Sequence, residues 1–127
     1  DGLPVKLLLG KIAHQDIPTL LTGAKALVFA SLYEGFCMPP MEAYACGTPV
    51  IASNFGSSDE AIGKAAVARF NPYQVAAITT AMAKVIALKK EQLAVYQRLM
   101  KEHVTQHTWQ RTVAVTLASC RASLRKT

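Results

Sequence analysis

Short apolar runs alternate with amphipathic stretches along most of the chain. VKLLLG (Val5 to Gly10) is a run closed by glycine, the profile of a buried strand. HQDIPTLLTGAK follows with Ile17, Leu20, Leu21 and Ala24 at helical spacing, and Pro18 has to sit in the first turn. ALVFAS (Ala26 to Ser31) reads as a second buried strand. PPMEAYACG predicts a short helix, with proline at its start and Gly47 at its end. TPVIAS (Thr48 to Ser53), rich in β-branched residues, is a third strand. Ser57, Ser58 and Asp59 offer a helix cap ahead of a brief turn, SDEAIGK, and AVARF is a short strand before Asn71-Pro72. Two long helical patterns follow, PYQVAAITTAMAKVIALK and KEQLAVYQRLMKEHV. A third begins near Thr108-Trp109 and runs through VAVTLASCRASL. Strands alternating with helices predict an α/β, Rossmann-like layered domain, a short parallel sheet flanked by helices. In such sheets ligands bind beyond the carboxyl ends of the strands.

Composition narrows the class. A length of 127 residues bounds the chain to one domain, 1–127, long enough for a real core. With 51% hydrophobic and 17% charged residues it is globular rather than disordered. No apolar run approaches the ~20 residues that span a bilayer. DGLPVKLLLGK lacks the basic flank, long apolar stretch and small-residue cleavage site of a signal peptide. Cys37, Cys46 and Cys120 are odd in number and widely spaced, which predicts reduced thiols in a cytoplasmic protein. The formal charge of +6 is uneven: from Lys84 onward nine Lys or Arg face only Glu91 and Glu102, a net of +7. A solvated helix face accounts for that run most simply. The sharper alternative is attraction to an anionic membrane or a phosphate-bearing substrate. Nucleic acid fits poorly, because aromatics are not interleaved with the basic residues.

The chemistry concentrates in SLYEGFCMPPMEAYACGTPVIAS, Ser31 to Ser53. Glu34 falls just past the second predicted strand, and Glu42 falls in the first turn of the next helix, beyond Pro39 and Pro40. Proline disfavours helix for the residue before it, so the two glutamates reach one crevice from different elements. Between them Gly35, Phe36, Cys37 and Met38 carry backbone N–H groups, and the helix start adds positive dipole, the makings of an anion site. A carboxylate beside phosphate donors repels phosphate, but it accepts hydrogen bonds from sugar hydroxyls. Amides for a phosphate and carboxylates for hydroxyls describe a nucleotide-sugar site. The plain alternative is that Glu42 stabilises a helix N-terminus and Glu34 is solvated.

The ordered run E-G-F-C-M-P-P-M-E-A-Y-A-C-G-T-P-V-I-A-S resembles the donor-site signature of retaining glycosyltransferases of family 4, which have the GT-B architecture. That signature pairs two glutamates, with seven residues between them, with a helix containing alanine and glycine and a T-P-V strand. LLLGKI looks like the strand and loop on which the nucleobase rests, and SDEAIGKAA, with Glu60 and Gly63, like the stretch after the donor site. HTWQRT resembles the aromatic-Ser-Trp opening of the last helix. The resemblance implies that Glu42 holds the ribose hydroxyls and that Glu34 lies beside the transferred sugar as the catalytic carboxylate. It further implies that the amides beside Gly35, at Phe36, Cys37 and Met38, meet sugar and distal phosphate, and that Ile12 packs on the base. Such enzymes bind the diphosphate without a metal ion, using basic side chains and a helix dipole, and need no cofactor beyond the UDP-, GDP- or ADP-sugar substrate.

The chain departs from the pattern at two positions. Cys37 stands where the family usually has glycine, and Asp59 where a proline is common. The family's diphosphate-neutralising Arg and Lys precede the stretch matched here, and so does its N-terminal acceptor domain. The resemblance therefore implies the C-terminal, donor-binding part of a longer enzyme, inactive alone. That enzyme would move a hexose to a glycan or lipid-linked acceptor, in the cytoplasm or peripherally at the inner membrane face. The rivals are a non-catalytic module derived from this fold, a GT-B-like phosphorylase or sugar-nucleotide epimerase, and, last, a basic nucleic-acid adaptor.

Other residues read more simply. His103 and His107, four apart, lack an evident third ligand and read as surface histidines. His14 opens a helix and is expected to be exposed. Trp109 is expected to anchor the last helix in the core, Met38 and Met41 to fill core gaps, and Cys37 to be buried as a small apolar residue.

Overall fold

The central strand explains the layering. The structure, a computed structural model, describes residues 5, 6, 8, 10, 12–54 and 61–124. Strand β2 (Val50–Ser53) is buried along its whole length. It pairs in parallel with β1 (Leu27–Phe29) on one side and with β3 (Ala68–Phe70) on the other, giving the order β1-β2-β3. Side chains alternate across a strand, so Val50 and Ala52 face one layer and Ile51 the other. Val50 and Ala52 join Leu21, Met41, Ala43, Tyr44, Ile62, Ala65 and Met100 in one apolar cluster. Ile51 joins Val67, Phe70, Ala81 and Val85 in the second. β2 is thus covered on both faces, as parallel strands require, whereas β1, expected to be buried, is not: Leu27 and Phe29 are half-buried and Val28 is exposed.

The helices follow from caps and spacing. Helix α1 (Ile17–Gly23) takes Pro18 in its first turn, after a 3-10 turn at His14–Asp16. Helix α2 (Met38–Ala45) ends in a Schellman motif. Gly47 there has φ +74°, its N–H donates to Tyr44 O, and the Thr48 N–H donates to Ala43 O at 2.8 Å. The Thr48 hydroxyl then donates to Leu21 O at 2.7 Å, tying the end of α1 to the chain entering β2. Helix α3 (Val75–Ile86) covers the second cluster with Ala81 and Val85. Helix α4 (Lys90–Gln106) starts with the Gln92 side chain accepting the Lys89 N–H and buries Met100 on the first cluster. Helix α5 (Trp109–Leu124) is last.

Several expectations need correction. Val5, Lys6 and Leu8 belong to no strand, and the rest of VKLLLG before Gly10 lies outside the described residues. A strand exists only through a neighbour's ladder, and the described sheet gives Val5, Lys6 and Leu8 none. The cap expected at Ser57 to Asp59 also lies outside the described residues. Trp109 is 76% exposed, not a core anchor, because α5 buries none of its side chains. Met41 is in the core as expected, but Met38 is 44% exposed at the start of α2. Among the described residues no helix is long and apolar enough to cross a membrane.

Candidate functional site

The site grows from the carboxyl ends of β1 and β2. Ser53, the last residue of β2, donates its hydroxyl to the carbonyl of Ser31, just past β1. The Ser31 hydroxyl donates to Glu34 Oε1 at 2.9 Å. Sheet and carboxylate are thereby linked through two serines, and the half-buried Glu34 is held over the strand ends rather than left to solvent. Sequence reasoning passed over Ser31 and Ser53. The S-x-x-E spacing of Ser31 and Glu34 was the available signal, since a hydroxyl three residues ahead of a carboxylate can reach it across a turn.

Beyond Glu34 the chain turns into α2. Cys37 is the residue ahead of the first turn, with φ −75° and ψ 84°. Pro39 and Pro40 lie inside the first turn, where their fixed φ suits the helix and their missing N–H groups would have lacked partners anyway. Glu42 consequently sits in the second turn, not the first as expected, and is half-buried. In the first turn of α2, Met38 keeps an amide with no intrahelical partner, while the Met41 N–H is the first placed to donate back to the Cys37 carbonyl. Around them Phe36, 45% exposed, and Met38 form an open apolar rim with Leu32 and Tyr33. A Cβ built on Gly35 would meet nothing within 4 Å, so the loop leaves open space there.

Cys37 is 1% exposed, as expected for a small apolar residue. Burial pushes its thiol up, the Glu34 carboxylate adds to that, and the Arg69 guanidinium draws it partly back. The thiol is therefore protonated at neutral pH and is no nucleophile. Arg69 was also missed by sequence reasoning. It faces Ala52 in the β2–β3 register, and strand parity sets it opposite in direction to the core residue Phe70. Its charge acts on both Cys37 and Tyr44.

The far wall of the site is polar and locked. The Tyr44 hydroxyl donates to Ile62 O at 2.9 Å, and burial raises its pKa. His103 Nε2 donates to the adjacent carbonyl, Ala61 O, at 2.8 Å. His107 Nδ1 donates to His103 O at 2.8 Å. Both histidines are half-buried, not surface residues, because each ring is turned inward to a backbone carbonyl. Among the described residues no group of three His, Cys, Asp or Glu side chains is gathered that could hold a metal ion. His14 is exposed as expected.

One loop and one helix thus bring together Glu34, Gly35, Phe36, Cys37, Met38 and Glu42. Ile12 lies on a separate segment, half-buried, ahead of the His14–Asp16 turn.

Comparison with known proteins gives a consistent result. Residues 5–102 match the family described as glycosyl transferases group 1. The chain is 40% identical over 97 residues to the serotype-specific mannosyltransferase WbdA of Escherichia coli, a match that covers 76% of this chain and 11% of that protein. It is 30% identical over 109 residues to the MMP alpha-(1->4)-mannosyltransferase of Mycolicibacterium hassiacum, covering 84% of this chain and 26% of the relative. It is 34% identical over 118 residues to the glycogen synthase of Mycobacterium tuberculosis, covering 88% and 28%. The chain therefore spans between a tenth and a third of the length of these curated relatives. Among solved structures, the N-terminal domain of Candida albicans trehalose-6-phosphate phosphatase superposes with a TM-score of 0.80 at 18% identity, over 88% of this chain and 24% of that one. At that identity the likeness concerns the fold.

Proposed function

Because the chain belongs to the group 1 glycosyltransferases, we propose that it is the donor-binding portion of a retaining enzyme that moves a hexose from a nucleotide-sugar to a glycan or lipid-linked acceptor. One observation carries this reading: Ser31, fixed by Ser53, holds the Glu34 carboxylate over the strand ends, next to the amide-bearing opening of α2. Glu34 orients the transferred sugar and stabilises positive charge as it develops at the anomeric carbon, while Glu42 accepts the ribose hydroxyls. Amides of Phe36, Cys37 and Met38 receive the sugar and distal phosphate, aided by the α2 dipole. Gly35 leaves the donor room, and Ile12 packs on the base. The diphosphate is neutralised without a metal ion, by basic side chains on the first half of the same donor-binding domain, while a separate N-terminal domain carries the acceptor site. The basic residues from Lys84 onward give that enzyme a peripheral attraction to an anionic membrane face in the cytoplasm.

The test is transfer by the intact enzyme carrying this domain, supplied in turn with UDP-glucose, GDP-mannose and ADP-glucose. Proton NMR of the product should show the donor's anomeric configuration retained. Glu34→Gln should lower kcat by roughly two orders of magnitude, the scale of one preorganised electrostatic contact. An inverted product, or a Glu34→Gln enzyme at full rate, would sink the assignment.

A further inference from the structure

A line of four rings runs from the loop into the core. Phe36 lies against His107 with ring centroids 6.5 Å apart and planes tilted by 41°. His107 lies against His103 at 4.3 Å, and His103 meets Tyr44 edge-on at 5.8 Å and 87°. These separations suit ring–ring contact, with the closest at the histidine pair.

Every ring but Phe36 is also pinned by a hydrogen bond to a backbone carbonyl. Tyr44 holds Ile62 O and His103 holds Ala61 O. His107 holds His103 O one turn back on its own helix, which fixes its orientation and puts its proton on Nδ1. The chain has made room for this arrangement. Gly63 has φ +54°, and a Cβ there would come within 2.7 Å of His103 Cε1. Only glycine at this position lets the His103 ring reach Ala61 O and stand beneath His107.

Phe36 is the end of the line that is not pinned in this way, and it sits in the loop between Glu34 and α2. From this geometry we propose that His107 is a positioning residue for that loop: its ring, oriented by His103, supports Phe36 and so sets the backbone of residues 35–38. The functional consequence rests on the donor-site reading above, since it is there that the amides of this backbone meet phosphate and sugar. His107 itself touches no substrate. It acts by narrowing the loop's conformations before the donor arrives, which reduces the ordering cost of binding.

Amide spectra of this chain without any ligand test the positioning directly. His107→Ala should move the Gly35, Phe36 and Cys37 amides while leaving Val50 to Ser53 in place, and His107→Phe, which keeps a ring, should restore the wild-type positions. On a Phe36→Ala background, His107→Ala should add nothing further, because the support has nothing left to hold. A parallel titration with UDP, GDP and ADP reads the consequence. For whichever nucleotide the wild type binds, His107→Ala should weaken affinity roughly three- to tenfold, the range one aromatic contact supplies, and His107→Phe should recover it. Unmoved loop amides in His107→Ala, or changes spread through the sheet with a lowered melting temperature in both His107 variants, would overturn the proposal. If this chain binds none of the three nucleotides, the titration is repeated on the intact enzyme, where absent binding sinks the donor reading, and the amide spectra decide the role of His107 in either case.

Discussion

Glu34 and Glu42 are held in different ways, and the difference can be measured. Glu34 accepts a hydrogen bond from the Ser31 hydroxyl, whereas Glu42 is set by the regular backbone of α2. Ser31→Ala should therefore lower sugar transfer by about tenfold, the lower end for a hydrogen bond to a charged group, while changing unfolding free energy by less than about 1 kcal/mol. Steady-state kinetics beside urea unfolding would separate the two effects. Gly63 is the opposite case, a structural residue with no chemistry of its own. Gly63→Ala pays for a left-handed backbone and drives a Cβ into His103, so about 1–3 kcal/mol of stability should be lost in the same unfolding experiment. The two glutamates were singled out by type, spacing and the family resemblance. Ser31, Arg69 and the His103–His107 pair were not, since their importance lies in which carbonyl or charge they reach across the fold.

At the scale of elements, legibility followed how local each cause is. Helix α2 was readable because prolines at its start and Gly47 at its end act within a few residues. The strand at Val50–Ser53 was readable because a buried parallel strand is apolar throughout, and Leu27–Phe29 shares that apolar run although Val28 is exposed. VKLLLG has the same look, yet its described residues form no strand, because pairing is a property of two segments. Trp109 misled for a similar reason: a large apolar ring is buried only if something packs on it. Trp109→Ala should accordingly shift the unfolding free energy of this chain by no more than about 0.5 kcal/mol. Tyr44→Phe, by contrast, removes the hydroxyl that satisfies Ile62 O in the core. It should cost about 1–3 kcal/mol, a contrast that one set of thermal melts would reveal.

Over the whole molecule, a layered α/β fold with a short parallel sheet was foreseen from alternation of apolar runs and helical stretches, and the three-stranded parallel pairing agrees with it. Charge asymmetry was equally visible, but not the internal proton balance. His103 is held below its ordinary value of 6.5, first by burial and then by His107, with the bond to Ala61 O partly opposing. Below pH 6.5 the unfolded chain thus binds a proton that the native chain resists. The stability involved is fully present above 6.5 and is lost as pH falls toward the folded value. Urea midpoints measured at about pH 7.5 and about pH 5.5, either side of an ordinary histidine pKa, should fall on acidification, and fall less in His103→Gln.

On the proposed reading, the loop from Glu34 to Glu42 receives a nucleotide-sugar. Calorimetric titration of this chain with UDP, GDP and ADP, beside Glu42→Ala, tests it most directly. One nucleotide should bind, and the substitution should weaken it by roughly tenfold or more, the loss expected when a charged hydrogen-bonding group is removed. Binding that Glu42→Ala leaves untouched, or no binding by this chain or by the intact enzyme, would contradict it.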